Sequence, residues 1–284
     1  MDYPDLLWHY TDAAGLFGMI RSGLLRFTDV RFLNDRTERT YGLNVVLAAL
    51  DQAAVEDGEN SIAAVTRRYL DHAFGGYKHY VCSLSERNDS LSQWQRYAAN
   101  GSGYCIAFDM TQLQFETQSA PMLYRMIYKT AEQKLSASNV IREIRDLQRH
   151  ASAKVEQERE GFLATGAAIG SALLEQAALQ LKNPAFEDEQ EWRLFHQVRV
   201  PVLGMATPDV QFTQRGDYVK PYLDKQLPLR KGRNPRNLPI AGVTTGPRLD
   251  SELAIATIQE LLAASGYTVA AKSVVASTLQ DSWR

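Results

Sequence analysis

Apolar residues along the chain fall into short runs of four to eight, broken by glycine or polar turns, and into longer stretches with helical period. Leu6 to Tyr10 predicts a first strand, Thr11-Asp12 caps a helix over Ala13 to Ser22, and Gly23 ends it. Leu24 to Phe27 reads as a second strand. Leu33-Asn34-Asp35 then makes a turn in which Asn34 or Asp35 caps a helix that carries Glu38 and runs to about Ala54. Ser61 to Phe74 is amphipathic, with Ile62, Val65, Tyr69 and Ala73 on one stripe, and Gly75-Gly76 stops it.

Tyr80 to Ser85 is the strongest strand signal of the first half, and Arg87 to Asp89 caps a helix reaching Ala98. Asn100 to Gly103 turns the chain into a strand over Tyr104 to Phe108. Met122 to Lys129 predicts another strand, and residues 131–181 are helical in composition, with Arg142, Arg145, Arg149 and Lys154 on a solvated face. From Glu189 the pattern becomes extended, with a strand from Glu191 to Val200 that Pro201 closes. Strands at Asp217 to Leu223, Ile240 to Thr244 and Tyr267 to Val275 follow, with a helix over Asp250 to Ala264. Short strands with irregularly placed helices, and no glycine-rich phosphate loop, predict an α+β fold with a mixed or mainly antiparallel sheet and flanking helices.

At 284 residues the chain is long enough for one or two domains. The spread of its motifs from His9 to Arg284 favours one elaborated domain, 1–284, with residues 131–181 as a helical insertion. Hydrophobic residues make up 45% and charged residues 23%, which excludes a disordered or fibrous chain. The formal charge of -2 gives no bulk basic field for nucleic acid or anionic lipid. One basic connector, Arg230 to Asn237, keeps a nucleic-acid-processing role as a third reading.

Cys82 and Cys105 are the two cysteines and both sit in apolar strands, so they read as reduced, buried thiols of a cytoplasmic protein. Acids near the start and the lack of a long apolar run predict neither a cleavable signal nor a membrane span. Export by a machine that reads no cleavable signal stays open. The five histidines have no ligand-like spacing, so no metal is predicted.

Four elements carry candidate chemistry. His9, with Tyr10, ends the first strand, where an imidazole can meet a ligand or simply cap structure. Ser83 and Ser85 share a strand face, as a binding wall or as that strand's polar side. Trp94 and Tyr97 lie three apart on a helix, as an aromatic shelf or as core. On an extended backbone Glu189, Glu191 and Arg193 project to one side, placing the carboxylates roughly 6.5 to 7 Å apart by strand rise. Such a pair can divide proton handling from charge stabilisation, or form a solvated face that Arg193 neutralises. The residues alone leave these alternatives open.

Taken in order, His9-Tyr10-Thr11, Leu33-Asn34-Asp35 with Glu38, Cys82-Ser83-Leu84-Ser85 with Trp94 and Tyr97-Ala98, Gly103 with Phe108-Asp109, Glu189-x-Glu191-Trp192-Arg193, Gly246-Pro247 and Trp283-Arg284 resemble a bacterial family described only as a domain of unknown function. The order of a first-strand His, a central strand with hydroxyls and a later Glu-x-Glu also resembles ADP-ribosyltransferases. This chain combines the first-strand His of one branch with the Glu-x-Glu of another.

That second resemblance implies an enzyme that takes NAD as substrate and cleaves its nicotinamide-ribose bond, by ADP-ribosyl transfer or glycohydrolysis. It implies His9 on the ribose or phosphate, Ser83 supporting the nicotinamide, Glu191 as the catalytic carboxylate and Glu189 orienting or deprotonating the acceptor. Tyr10, Ser85, Trp94, Tyr97 and Arg193 would complete the nucleotide site, with a protein or nucleic acid as possible acceptor. The rival expectation is a noncatalytic module that binds a nucleotide or a protein.

Overall fold

The computed structural model describes residues 3–33, 38–73, 77–115, 121–152, 156–199, 209–215, 217–231, 236–268 and 271–280. Asn34, Asp35, Gly75, Gly76, Val200, Pro201, part of the 230–237 connector, Trp283 and Arg284 lie outside them.

Strand β1 (Leu6–Thr11) enters α1 (Ala13–Ser22) through Asp12, whose carboxylate accepts the Gly15 amide at 2.7 Å. Gly23 ends α1 at φ 67°, where a β-carbon would also strike the Arg236 carbonyl oxygen at 1.8 Å. There follow β2 (Leu25–Asp29), α2 (Glu38–Asp57), α3 (Ile62–Ala73), β3 (Tyr77–Ser85), α4 (Leu91–Tyr97), β4 (Tyr104–Asp109) and β5 (Met122–Arg125). The second half holds α5 (Thr130–Ser152), α6 (Glu156–Ala178), β6 (Glu191–Arg199), β7 (Gln211–Arg215), β8 (Tyr218–Lys225), β9 (Ile240–Thr245), α7 (Ser251–Ala264) and β10 (Val274–Ala276).

The strands form one sheet in the order β10-β9-β4-β1-β3-β2-β8-β7, with β6 lying between β3 and β5. Among these strands every pair is antiparallel except β9 with β10, so the fold is α+β with a mixed, mostly antiparallel sheet. β3 is the hub. Along one edge it pairs with β6 from Tyr77↔Arg199 to Ser85↔Glu191. Its other edge is shared: β1 meets it at Trp8↔Ser85 and β2 at Thr28↔Val81 and Asp29↔Tyr80. Between those contacts the His9 ring fills the fork, its Nδ1 bonded to the Ser83 carbonyl at 2.8 Å.

One sheet face buries Leu7, Leu84, Ile106, Phe108, Trp192 and Leu194 against Leu16 and Ile20 of α1 and Ile258 and Leu262 of α7. Helices α2, α3, α5 and α6 have a separate core, in which Val46, Leu50 and Ile62 meet Ile144 and Leu174. The helical part is therefore two hairpins from two places in the chain: residues 131–181 supply α5 and α6, and α2 with α3 complete the layer.

Several boundaries differ from the sequence reading. In α3, Tyr69 is 41% exposed, and Ile62, Thr66 and Leu70 form the buried stripe instead. β5 ends at Arg125, because the chain beyond it turns to bridge Ile127 with Leu181. The last strand is reduced to β10, while Tyr267 packs in the core and its hydroxyl accepts the Leu238 amide at 3.1 Å. β7 was not predicted; it is an edge strand of mainly polar residues with Phe212 exposed, and so has no buried alternation to read.

Candidate functional site

Glu189 and Glu191 do meet, but not along one strand. Glu191 opens β6, whereas Glu189 ends a 3-10 turn over Pro184–Glu189, and Gln190 between them is left-handed at φ 41°. A kink, not strand rise, sets their spacing. Both are at most 5% exposed, which rules out a solvated face.

The link between them is Lys182, whose Nζ lies 2.5 Å from Glu189 Oε2 and 2.5 Å from Glu191 Oε2. Arg193 grips the other side of Glu191, donating from Nε to Oε1 at 2.7 Å and from Nη2 to Oε2 at 2.9 Å. Glu189 Oε1 accepts from Arg96 Nη1 at 2.9 Å and from the Tyr97 hydroxyl at 3.0 Å. The Tyr128 hydroxyl accepts the Glu191 amide at 2.9 Å. Burial alone would raise the Glu191 pKa, but the charges of Arg193 and then Lys182 outweigh it and bring it down to about 2. The two cations beside Glu191 thus favour its ionised form and fix both of its oxygens.

Alternation distributes the remaining candidates. Ser83 stands opposite Arg193 and Ser85 opposite Glu191, so these four share a face with Trp8, the partner of Ser85 across β1. His9 is one residue on and lies on the other face, near Cys82 and the Phe108 ring. It is brought beside Ser83 through that residue's main chain, and burial lowers its pKa although the Ser83 carbonyl bond opposes this.

Tyr10 and Ser85 act on the backbone. The Tyr10 hydroxyl donates to Arg87 O at 3.0 Å and accepts the Ser90 amide at 2.9 Å, tying β1 to the loop before α4. Ser85 donates to Glu189 O at 2.7 Å and accepts the Arg87 amide at 2.9 Å.

Trp94 is not part of an exposed shelf. It is fully buried, edge-on to Tyr10 at 5.1 Å, with its indole N–H on Asp89 at 2.8 Å. Tyr97 alone of the aromatic pair reaches the carboxylates. Arg193, at 3% exposure, is a support for Glu191, and the half-exposed cation at the rim is Arg96, lying over the Phe186 ring.

Lys182, Arg96, Tyr128 and Asp89 were not singled out from the sequence. For Lys182 the available signal was weak: a lone lysine at a helix end, just before Asn183-Pro184, reads as solvated until the turn is seen to fold it back over Glu-x-Glu. Asp89, at φ 54°, accepts from Trp94, from the Ser277 hydroxyl at 2.5 Å and from the Thr278 amide at 2.7 Å. Five non-glycine residues among those described have positive φ: Asp89, Ala99, Asn100, Gln190 and Asp209. The first three flank α4 and the fourth separates the carboxylates, so left-handed backbone is concentrated around this cluster.

Residues 93–194 match a family model described as a protein of unknown function (DUF2971). The matched DUF2971 span holds Arg96, Tyr97, Tyr128, Lys182, Glu189, Glu191 and Arg193, the whole charged cluster, while His9, Ser83 and Ser85 precede it. That description names no activity and does not speak to ADP-ribosyl transfer. Comparison with curated proteins gives no match, and comparison with solved structures gives none.

Both thiols are free and buried, and burial pushes each well above the ordinary cysteine range. Among the described residues no group of three His, Cys, Asp or Glu side chains is placed to hold a metal, and no helix is long and apolar enough to cross a membrane. An open depression of about 540 Å³ at the start of α7, lined by Arg248, Asp250 and Glu252, contains none of the site residues.

Proposed function

We propose that the protein takes NAD as a substrate and cleaves its nicotinamide-ribose bond, as an ADP-ribosyltransferase or an NAD glycohydrolase. The observation that supports this reading is the pairing of β3 with β6, which sets Ser83 opposite Arg193 and Ser85 opposite Glu191 on one sheet face, while His9 of the neighbouring β1 lies on the other face. Ser85 is paired with β1 on one side and with Glu191 on the other.

Breaking the bond sends its electron pair to the nicotinamide nitrogen and leaves an oxocarbenium-like ribose. A fixed, ionised Glu191 stabilises that charge. Glu189 takes the proton of the attacking acceptor, water or a macromolecular nucleophile, as the new bond forms at the same carbon. Arg96, at the rim and already oriented by Glu189, meets the pyrophosphate.

A noncatalytic nucleotide- or protein-binding module is the second reading, and one observation favours it: all four carboxylate oxygens of Glu189 and Glu191 already accept from Lys182, Arg193, Arg96 or Tyr97. Incubation of the full chain with NAD, alone and with cell lysate, separates the two. Nicotinamide release supports the enzyme; saturable binding of NAD without release supports the module; neither release nor binding overturns the NAD assignment.

A further inference from the structure

We infer that Lys182 is the positioning residue of the Glu189–Glu191 pair, and that the helical layer holds it in place through Gln133. The inference rests on the reading that this pair serves the proposed reaction. The geometry itself is independent of that reading.

Two carboxylates brought together in a buried site repel, and without compensation one of them takes up a proton. An ammonium is a compact charge with three donors, suited to stand between two carboxylates, whereas the planar fork of Arg193 is spent on one. Lys182 does stand there, at 2.5 Å from an oxygen of each, with its side chain 4% exposed. A buried ion pair adds little net stability over an apolar replacement of similar size. Once both carboxylates are buried, removing the ammonium alone leaves their charge uncompensated, but net stability gives no reason for burying the charged set at all. Setting the distance and charge of the pair does.

The main chain of Lys182 is fixed from the helices. Its amide donates to Ile127 O at 3.0 Å, and its carbonyl accepts from Gln133 Nε2 at 2.7 Å. Gln133, on α5 and 1% exposed, also donates to Ile127 O at 2.8 Å and accepts the hydroxyl of Tyr41, on α2, at 2.8 Å. Tyr41, Gln133 and Lys182 thus form a continuous polar path from two helices of the layer to both carboxylates. Elsewhere α6 meets the sheet through Glu175 on His79 and Gln176 on Tyr124, but this path is the one that reaches the carboxylates. With it, the two helical hairpins set the geometry of the site.

The test uses the full chain with its glutamate carboxyl carbons labelled, titrated by NMR, beside nicotinamide release. Lys182→Met is expected to raise the titration midpoint of Glu191 by about 1 to 3 pH units. Lys182→Arg, which keeps the charge, is expected to restore most of the shift. Gln133→Leu is expected to move the same resonance. In turnover, Lys182→Met is expected to lower kcat by roughly 10- to 100-fold with little change in KM for NAD.

A folded Lys182→Met protein whose Glu191 titrates as in the parent would overturn the inference. Should that variant not fold, Gln133→Leu decides, and an unmoved Glu191 resonance there overturns it too. A shift in Lys182→Met with none in Gln133→Leu would overturn the part assigned to the helical layer. If the parent releases no nicotinamide, the functional reading fails while the titrations still decide the role of Lys182.

Discussion

Ser85 holds Glu189 from across the sheet: its hydroxyl donates to the Glu189 carbonyl at 2.7 Å, although its own ladder partner is Glu191. One serine therefore fixes both ends of the kink at Gln190, and accepts the Arg87 amide as well. Ser85→Ala leaves a buried carbonyl and an amide without these partners, at a cost of about 1 to 3 kcal/mol. Urea unfolding measures this loss. Stability and nicotinamide release both equal to the parent would show that the serine does not hold the kink.

Trp94 belongs to the packing under α4, edge-on to Tyr10. Trp94→Ala is expected to destabilise by about 3 to 5 kcal/mol, the range for emptying a fully buried aromatic site. Trp94→Phe, which keeps most of the volume but loses the bond to Asp89, is expected to leave the KM for NAD unchanged. A raised KM in a stable Trp94→Phe protein would return the indole to the binding surface.

The difference between Trp94 and Tyr97 shows where the sequence was legible. Helical spacing put both on α4, yet only their contacts separate a core tryptophan from a tyrosine on a carboxylate. Strands β3, β4, β6 and β9 were readable because each buries a run of consecutive residues, and β1 because Leu6 to Tyr10 is itself an apolar and aromatic run. The position of β6 beside β3 was not readable, since 105 residues separate Ser85 from Glu191 and no local signal encodes such a pairing. Glu189 was misplaced for a similar reason. Period-two alternation assumes a continuous strand, and a left-handed Gln190 gives no sign in composition. Lys182 acquires its role only through contacts seven and nine residues away, made possible by the turn that Asn183 caps.

His9 gives stability a dependence on pH. Burial lowers its folded-state pKa below the ordinary 6.5, so the unfolded chain binds the proton first as the medium is acidified. The associated stability is present above about pH 6.5 and is lost as pH falls from there through the lower folded-state value. His9→Gln is expected to flatten this portion of the profile, measured by urea unfolding at about pH 7.5 and about pH 5. An unchanged slope in the variant would place the titrating group elsewhere.

The central claim is that the ionised Glu191, between Arg193 and Lys182, serves the cleavage of NAD. The most direct measurement is nicotinamide release by the parent chain and by Glu191→Gln, with circular dichroism to verify that both are folded. The account predicts release by the parent, alone or with lysate supplying an acceptor, and loss of at least about 100-fold in the folded variant. Equal release by the two proteins, or no release by the parent with or without lysate, would contradict it.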